Sequence, residues 1–186
     1  WKPKVNYIDE DYLDTQMEQD IIDCNDGIYI IAPKSKHYAF HGNDEIDIEQ
    51  CRSTGVRVIE MGYSGGTIVG SSDDFGILLV IPCELMIEPI WIMQNVLAII
   101  REYVPEAEVI GNDIIVDGQK VMGSMVRNIG KSVVWAAQFT FGEYDKLIST
   151  VCKKEAKKKP GRFKLEQLTR NVLERRLVGW LRKQAR

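Results

Sequence analysis

The arrangement of apolar and polar residues along the chain predicts a sheet flanked by helices. An uninterrupted apolar run at 77–81 is typical of a strand that is buried on both faces. Further strands are predicted at 28–32, 56–61 and 132–141. Apolar residues at helical spacing predict helices over 9–24, 89–103, 144–157 and 164–183. This mixture predicts the α+β fold class, with a mixed or antiparallel sheet and helices packed on it.

The strongest local signal is a two-residue turn at Asp117 and Gly118. It separates two runs of β-forming residues, 114–116 and 119–122. Asp-Gly between such runs favours a type I′ turn, because both central residues of that turn need positive φ angles. We therefore predict a β-hairpin centred on this dipeptide.

The composition is that of an ordinary globular protein, but the charge is distributed unevenly. The chain has 186 residues, of which 45% are hydrophobic and 27% charged, and its formal net charge is −3. Residues 151–186 contain 13 Lys and Arg against 3 Asp and Glu, a net charge of +10, which leaves −13 for residues 1–150. We expect one domain over 1–150, with 151–186 forming a basic helical segment packed on it.

The sequence leaves two interpretations of the basic segment open. It can dock on the acidic body of the same chain, or it can offer a surface to an anionic partner. Nucleic acid is one candidate partner, although the segment carries no recognisable nucleic-acid-binding motif.

Cysteine usage and hydropathy bear on the cellular compartment. The four cysteines, at 24, 51, 83 and 152, are scattered and have no metal-ligand spacing. The sequence predicts neither a membrane span nor a secretory signal. We expect a cytoplasmic protein with reduced thiols and no membrane association.

A loop that contains two glycines is the first candidate for ligand binding. Ser64, Gly65, Gly66 and Thr67 follow one predicted strand and precede another short apolar one. Paired glycines let the backbone approach a ligand closely, and their N–H groups can bind phosphate or carboxylate oxygens. An ordinary β-turn is the competing interpretation, and this motif alone does not exclude it.

The hairpin carries the second and more specific candidate. Asn112 and Asp113 lead into the outgoing strand, Lys120 lies on the return strand, and Gly123 and Ser124 follow it. A lysine on a rigid strand is a fixed positive charge, and the carboxylate beside it can bind either Mg²⁺ or the lysine. The small residues after the lysine leave room for a ligand. A surface hairpin with a solvated lysine is the competing interpretation.

Taken together, these motifs resemble those of the lipoate–protein ligase family over about residues 10–150. Residues 64–68 stand at the family's first motif, residues 74–77 at the second, and residues 112–125 at the third. Biotin–protein ligases belong to the same superfamily. The resemblance therefore implies the catalytic-domain fold that the two families share.

The resemblance also implies ATP-dependent activation of lipoate, or of a similar acyl acid, to an acyl adenylate. The acyl group then passes to a lysine of an acidic lipoyl carrier domain. In this pattern Lys120 is the catalytic residue that stabilises negative charge on the phosphate, and Asp113 binds Mg²⁺. The residues that would bind substrate or nucleotide are Ser64, Gly65, Gly66, Thr67, Asn112, Asp113, Gly123, Ser124 and Trp135.

The chain also departs from the family pattern. Met61 and Gly62 replace the arginines before the glycine loop, and the strand around Trp135 lacks the family's histidines. Residues 151–186 are too few for the family's small accessory domain. The chain then either works with a separate accessory subunit or performs only the transfer step. The alternative function is a catalytically degenerate ligase fold that binds a protein or nucleic acid through the basic segment.

Overall fold

The described part of the chain contains two sheets, the four α-helices bounded below, a 3-10 helix at Cys83–Leu85 and a few helical residues at 19–21 and 23. The computed structural model describes residues 3–8, 19–21, 23, 27–41, 45–60, 67–153, 160–164 and 167–184. The strands are β1 (Val5–Ile8), β2 (Gly27–Ile31), β3 (Tyr38–His41), β4 (Arg57–Glu60), β5 (Ile68–Gly70), β6 (Phe75–Pro82), β7 (Glu108–Ile110), β8 (Asp113–Val116), β9 (Gln119–Ile129) and β10 (Ser132–Phe139). The helices are α1 (Ile48–Ser53), α2 (Pro89–Arg101), α3 (Asp145–Val151) and α4 (Arg170–Gln184).

The larger sheet contains seven of these strands, in the order β1-β2-β6-β10-β9-β8-β7. β1 pairs with β2 in parallel, and the other neighbouring pairs are antiparallel. The apolar run at 77–81 lies in β6, between β2 and β10, which explains why it is apolar on both faces. The predicted α+β class, with a mixed sheet and flanking helices, is confirmed.

The smaller sheet has three strands, in the order β4-β3-β5. Helix α1 lies beside it, and Asp47 caps this helix by accepting a hydrogen bond from the Gln50 N–H at 3.0 Å. Cys51 of α1 and Val151 of α3 are both buried in the cluster that covers β3. Helix α3 therefore belongs to the packing of the smaller sheet.

Helix α2 covers one face of the larger sheet. Pro89 occupies its first turn, where a missing N–H costs no hydrogen bond. The buried side of the helix packs on inward residues of β6 and β10, among them Leu79 and Trp135. The residues on that buried side are Ile92, Met93, Val96, Ile99 and Ile100. Each such side chain contributes about 1.5–3 kcal/mol by leaving water.

Helix α4 packs on the same core beside α2. Its buried residues Leu173, Leu177, Val178 and Leu181 belong to the main hydrophobic cluster. Arg176 forms an ion pair with Glu102, just after the end of α2, and the Trp180 ring lies 5.4 Å from that of Trp91. The basic helix thus contacts the acidic body directly through both apolar and charged groups.

The helices at the C-terminal end are shorter than the sequence predicts. Helix α3 ends at Val151 instead of continuing to 157, because Cys152 pairs with Ile46 and the Lys153 N–H donates to the Glu45 carbonyl. Helix α4 begins at Arg170 and not at 164. The Thr169 carbonyl accepts from the N–H of Leu173 at 3.0 Å and so starts the helical hydrogen bonding.

Two further expectations concern the helix predicted near the start of the sequence and the absence of a membrane-spanning helix. Residues 19–21 and 23 are helical, and the rest of the helix predicted over 9–24 lies outside the described residues. Within the described ranges, no helix is both long and apolar enough to span a membrane.

Truncating Leu177 tests whether α4 is part of the core. Leu177→Ala removes a fully buried side chain, and we expect the free energy of unfolding to fall by about 2–5 kcal/mol. Urea unfolding of the purified chain measures this change. Asn171→Ala, on the exposed side of the same helix, is the matched control and should alter stability by less than about 0.5 kcal/mol. Equal small effects of both changes would mean that α4 adds nothing to the core.

Candidate functional site

The hairpin between β8 and β9 forms as the sequence predicts. Asp117 and Gly118 connect the two strands with φ angles of +50° and +69°, the left-handed conformation that a type I′ turn requires at both positions. Asp113 lies opposite Gly123, and Ile115 lies opposite Lys120. An irregularity between Ile114 and Ile115 shifts the pairing by one residue. This β-bulge changes the face to which the start of β9 points.

The two charged residues of the hairpin form an ion pair. The Lys120 Nζ lies 3.0 Å from the Asp113 Oδ1, and the side chains are 42% and 15% exposed. An ion pair this accessible to solvent contributes about 0–1 kcal/mol to stability. The fold therefore does not depend on this ion pair.

Gly123 provides the space in which the lysine lies. A Cβ atom at this position would stand 2.7 Å from Lys120 Cε and 2.8 Å from Nζ, closer than real atoms approach. It would also stand 3.3 Å from the Asp113 Oδ1. Lys120, Asp113 and Gly123 therefore share one face of the sheet, and the missing side chain lets the ammonium group lie flat against β9.

The same face continues across the neighbouring strands. Gln138 of β10 lies opposite Gly123, and Gly76 of β6 lies opposite Gln138. Directly opposed residues of antiparallel strands point to the same side. One polar side chain, that of Gln138, thus stands on this face between two glycines. We call Asp113, Lys120, Gly123, Gln138 and Gly76 the site face.

A buried carboxylate holds the edge of the site face. Asp74 accepts hydrogen bonds from the backbone N–H groups of Ser71 at 3.1 Å, Phe141 at 2.7 Å and Gly142 at 3.1 Å. Gln138 donates its Nε2 to Asp74 at 3.2 Å, and the Tyr144 hydroxyl donates to the same oxygen. Five donors therefore converge on one carboxylate and fix the orientation of the Gln138 amide.

Burial dominates the protonation of this group. Removal from water raises the pKa of Asp74 above its ordinary value, while the hydrogen bonds from Tyr144 and the backbone oppose that rise. The pKa of Tyr144 is raised as well, first by burial and then by the neighbouring charge of Asp74. Tyr144 therefore remains a neutral hydrogen-bond donor.

Gln138 and the bonding partners of Asp74 were not foreseen as part of the site. In the sequence, Asp74 is marked only as part of the family's second motif. Its five hydrogen-bond donors lie as far as 70 positions away along the chain. One signal for Gln138 exists in the sequence. It is the polar residue that breaks the apolar alternation near the end of the predicted strand at 132–141.

The structure does not bring Trp135 and Ser124 onto the site face. Trp135 is 1% exposed and lies in the core on the α2 side of the sheet. Within the described part of the chain its Nε1 has no hydrogen-bond partner. The Ser124 hydroxyl donates to the Asn112 carbonyl at 2.8 Å and approaches Met93 Sδ of α2 at 3.4 Å. Side chains alternate between the two faces along a strand. Ser124 follows Gly123 and Trp135 precedes Ala136, so both point to the face opposite Lys120.

The remaining predicted binding residues are placed as follows. Ser64, Gly65 and Gly66 lie outside the described residues. Thr67 is described just before β5, and its hydroxyl donates to Glu45 Oε2 at 3.0 Å. Asn112 is exposed in the turn before β8.

The described residues give little support for a metal site built from several side chains or for a cysteine nucleophile. Among the described residues, no three His, Cys, Asp or Glu side chains come together as a metal site. Burial raises the pKa of the Cys51 and Cys152 thiols, which is opposite to the direction that activates a cysteine nucleophile. The arrangement instead offers one exposed cation and one carboxylate beside an open strand surface.

Comparison with solved structures shows which fold this chain has. No protein-family model matches this chain, and no curated protein sequence matches it. LipL1 of P. falciparum in complex with lipoate matches with a TM-score of 0.80 at 14% identity, over 97% of this chain and 62% of that one. The chain thus spans less than two thirds of the length of LipL1.

Two other ligases match over more of their own length. Lipoate-protein ligase A bound with ATP gives a TM-score of 0.76 at 12% identity, covering 97% of this chain and 85% of that one. The bi-partite lipoate protein ligase of Thermoplasma acidophilum, studied with its E2 lipoyl domain, gives 0.74 at 12% identity, covering 98% and 83%. Biotin protein ligases match as well. The chain has the fold of the catalytic domain found in lipoate and biotin protein ligases.

Removing the Tyr144 hydroxyl tests the hydrogen bonding of Asp74. Tyr144→Phe deletes a donor, so the pKa of folded Asp74 rises further above its unfolded value of about 3.8. A group with a raised folded pKa holds its proton more tightly in the folded state, so stability falls as the pH rises through that window. We expect a loss of about 1–3 kcal/mol at pH 8 and a smaller loss at pH 4.

Urea unfolding of the variant and the parent chain at both pH values measures this difference. Tyr7→Phe, at an exposed tyrosine, is the control and should have little effect at either pH. A loss for Tyr144→Phe that is the same at pH 4 and pH 8 would separate the hydroxyl from the charge of Asp74.

Proposed function

We propose that this chain activates lipoate, or a similar acyl acid, with ATP and transfers the acyl group to a lysine of a carrier protein. The observation that carries the proposal is the Lys120–Asp113 pair, lying over Gly123 on an open strand surface in a ligase fold. Among the similar structures, two contain lipoate or lipoic acid and another contains ATP.

Lys120 would stabilise the charge that develops during activation. When the carboxylate of the acid attacks the α-phosphorus of ATP, negative charge builds on the phosphoryl oxygens and pyrophosphate leaves. A positive charge fixed on a rigid strand meets this change without reorganising, which is the most effective form of electrostatic catalysis. In the transfer step a carrier lysine attacks the acyl carbonyl and AMP leaves.

Asp113 fits a magnesium ion that arrives with ATP. Mg²⁺ is usually bound through one or two carboxylates together with substrate phosphates and water. Asp113 supplies one carboxylate at the edge of the site face, beside the lysine. Once phosphates bind to Lys120, its ion pair with Asp113 would loosen and leave the carboxylate oxygens to the ion.

The other assignments of the site follow from the same proposal. The loop that contains Ser64, Gly65, Gly66 and Thr67 would line the acyl chain and the nucleotide, together with Asn112 and Gly123. Ser124 would act indirectly, by holding the turn at Asn112. Trp135 would support the strand from its opposite face. The position of Trp135 in the core does not support its predicted role in binding substrate or nucleotide.

The partner and compartment are part of the proposal. An acidic lipoyl carrier domain would receive the acyl group, since one similar ligase was studied with its E2 lipoyl domain. Residues 1–150 would form the catalytic domain and 151–186 the basic segment on it. The reaction would take place in the cytoplasm. The alternative, binding of protein or nucleic acid by a degenerate fold, remains an outcome of the tests below.

Thermal unfolding with a stable lipoyl-AMP analogue tests the ligand. At about 100 times Kd we expect roughly 2.7 kcal/mol of stabilisation. For a chain of this size that corresponds to a midpoint shift of about 5–10 °C. The biotinyl analogue and AMP alone are the matched ligands and should give smaller shifts. No shift with any adenylate would favour the degenerate-fold alternative.

Replacing the lysine tests the chemistry. We expect Lys120→Ala to slow acyl-adenylate formation by about 10²–10³-fold, the loss seen when one electrostatic donor is removed. The thermal midpoint should hardly change, because the ion pair contributes little to stability. Pyrophosphate release with lipoate and ATP measures the rate.

Lys131→Ala provides the control for that experiment. Lys131 is exposed in the turn between β9 and β10, away from the site face, so its removal should leave the rate unchanged. An unchanged rate for Lys120→Ala would contradict the proposed role of the lysine.

A further inference from the structure

We propose that residues 160–161, within the C-terminal basic segment, position Lys120, with Gly161 as the positioning residue. The inference deepens the proposed function and rests on the role given there to Lys120. It makes part of the basic segment a structural component of the site, in addition to any role in binding a partner.

Lys120 lies beyond the end of the neighbouring strand. β10 ends at Phe139, which lies opposite Met122, so Lys120 extends past its last paired residue. The Thr140 N–H still reaches the Val121 carbonyl at 2.9 Å. Without a further partner, the backbone of Lys120 would be paired only with β8, through Ile115.

Residues 160–161 occupy this open edge. Pro160 pairs with Lys120 in a parallel bridge, and the Gly161 N–H donates to the Lys120 carbonyl at 2.9 Å. Lys120 is therefore held between β8 on one side and the C-terminal segment on the other. Because the backbone of Lys120 is hydrogen-bonded on both sides, the position from which its side chain extends is restricted.

The residues that follow fix this short segment to the body. The Phe163 N–H donates to the Thr140 carbonyl at 3.0 Å, and Phe163 is 6% exposed. Its ring lies 5.2 Å from that of Phe141, and Arg162 forms an ion pair with Glu143. These contacts hold residues 160–161 in a fixed position against the start of β9.

Only glycine fits at position 161. A Cβ atom there would collide with the Gln119 Cβ and stand 2.9 Å from the Gln119 Oε1 and 3.4 Å from the Gln119 carbonyl carbon. The φ angle of Gly161 is not positive, so an alanine is opposed by this contact and not by backbone strain. Because Gln119 immediately precedes Lys120, pushing it away would move the lysine.

Gly161→Ala tests the proposal with two separate readouts. The first readout is the reactivity of the Lys120 amine toward acetic anhydride, measured residue by residue with mass spectrometry. Displacement from Asp113 should raise it about two- to fivefold, the range expected for losing an exposed ion pair. The second readout is kcat for acyl-adenylate formation, which we expect to fall about 10- to 100-fold with KM for lipoate within about twofold.

Two further variants make the result specific. Gln119→Gly in the Gly161→Ala background removes the colliding side chain and should restore both readouts toward those of the parent chain. Gly179→Ala, at a helical glycine with no atom near its missing Cβ, is the matched control and should change neither. Parent-like Lys120 reactivity in Gly161→Ala, or a loss of activity that Gln119→Gly does not restore, would overturn the proposal.

The design separates this proposal from the proposed function. If the parent chain forms no adenylate, the proposed function fails, while the labelling of Lys120 still reports its position. If Gly161→Ala does not fold, hydrogen exchange of the Gly161 amide in the parent chain replaces it. Protection of that amide is expected, and exchange at the rate of a free amide would overturn the proposal.

Discussion

The buried carboxylate of Asp74 is the interaction on which the arrangement of the molecule depends. It receives hydrogen bonds from the loop after β5, from β10 and from the start of α3, so one side chain joins both sheets. A carboxylate in such a place is costly to bury unless its oxygens are fully bonded. The five donors meet that requirement, and in doing so they fix the geometry around Gln138. The site face thus lies beside a polar centre in a largely apolar core.

Local signals in the sequence predicted the elements that are stabilised locally. The Asp117-Gly118 turn, the apolar run in β6 and the proline at the start of α2 each carry their own physical cause within a few residues. The ends of α3 and α4 were predicted poorly. α3 stops because Cys152 pairs with Ile46, more than a hundred positions earlier, and helical spacing contains no information about such a contact.

The residues of the site also divide into those placed by local sequence and those placed by distant contacts. Lys120 and Asp113 could be placed together from sequence, because a two-residue turn fixes the register of its two strands. Trp135 could not be assigned to a face from its motif, since a shift of one residue moves a side chain across the sheet. Gln138 and Gly161 are positioned by partners far away in sequence. A polar residue in an apolar strand marks Gln138 as unusual, but no local pattern identifies its partner Asp74 or the contact of Gly161 with Lys120.

The bridge between Lys120 and Pro160 has a consequence for the order of assembly during synthesis. The lysine is made forty positions before the residue that supports its strand. At about 5–20 residues per second, translation leaves several seconds in which the hairpin exists without that support. Both sheets can begin to pair in this interval, but the start of β9 at Lys120 gains its second backbone partner only when residues 160–161 emerge. The second backbone partner of Lys120 can therefore form only after the strands of the hairpin are already available for pairing.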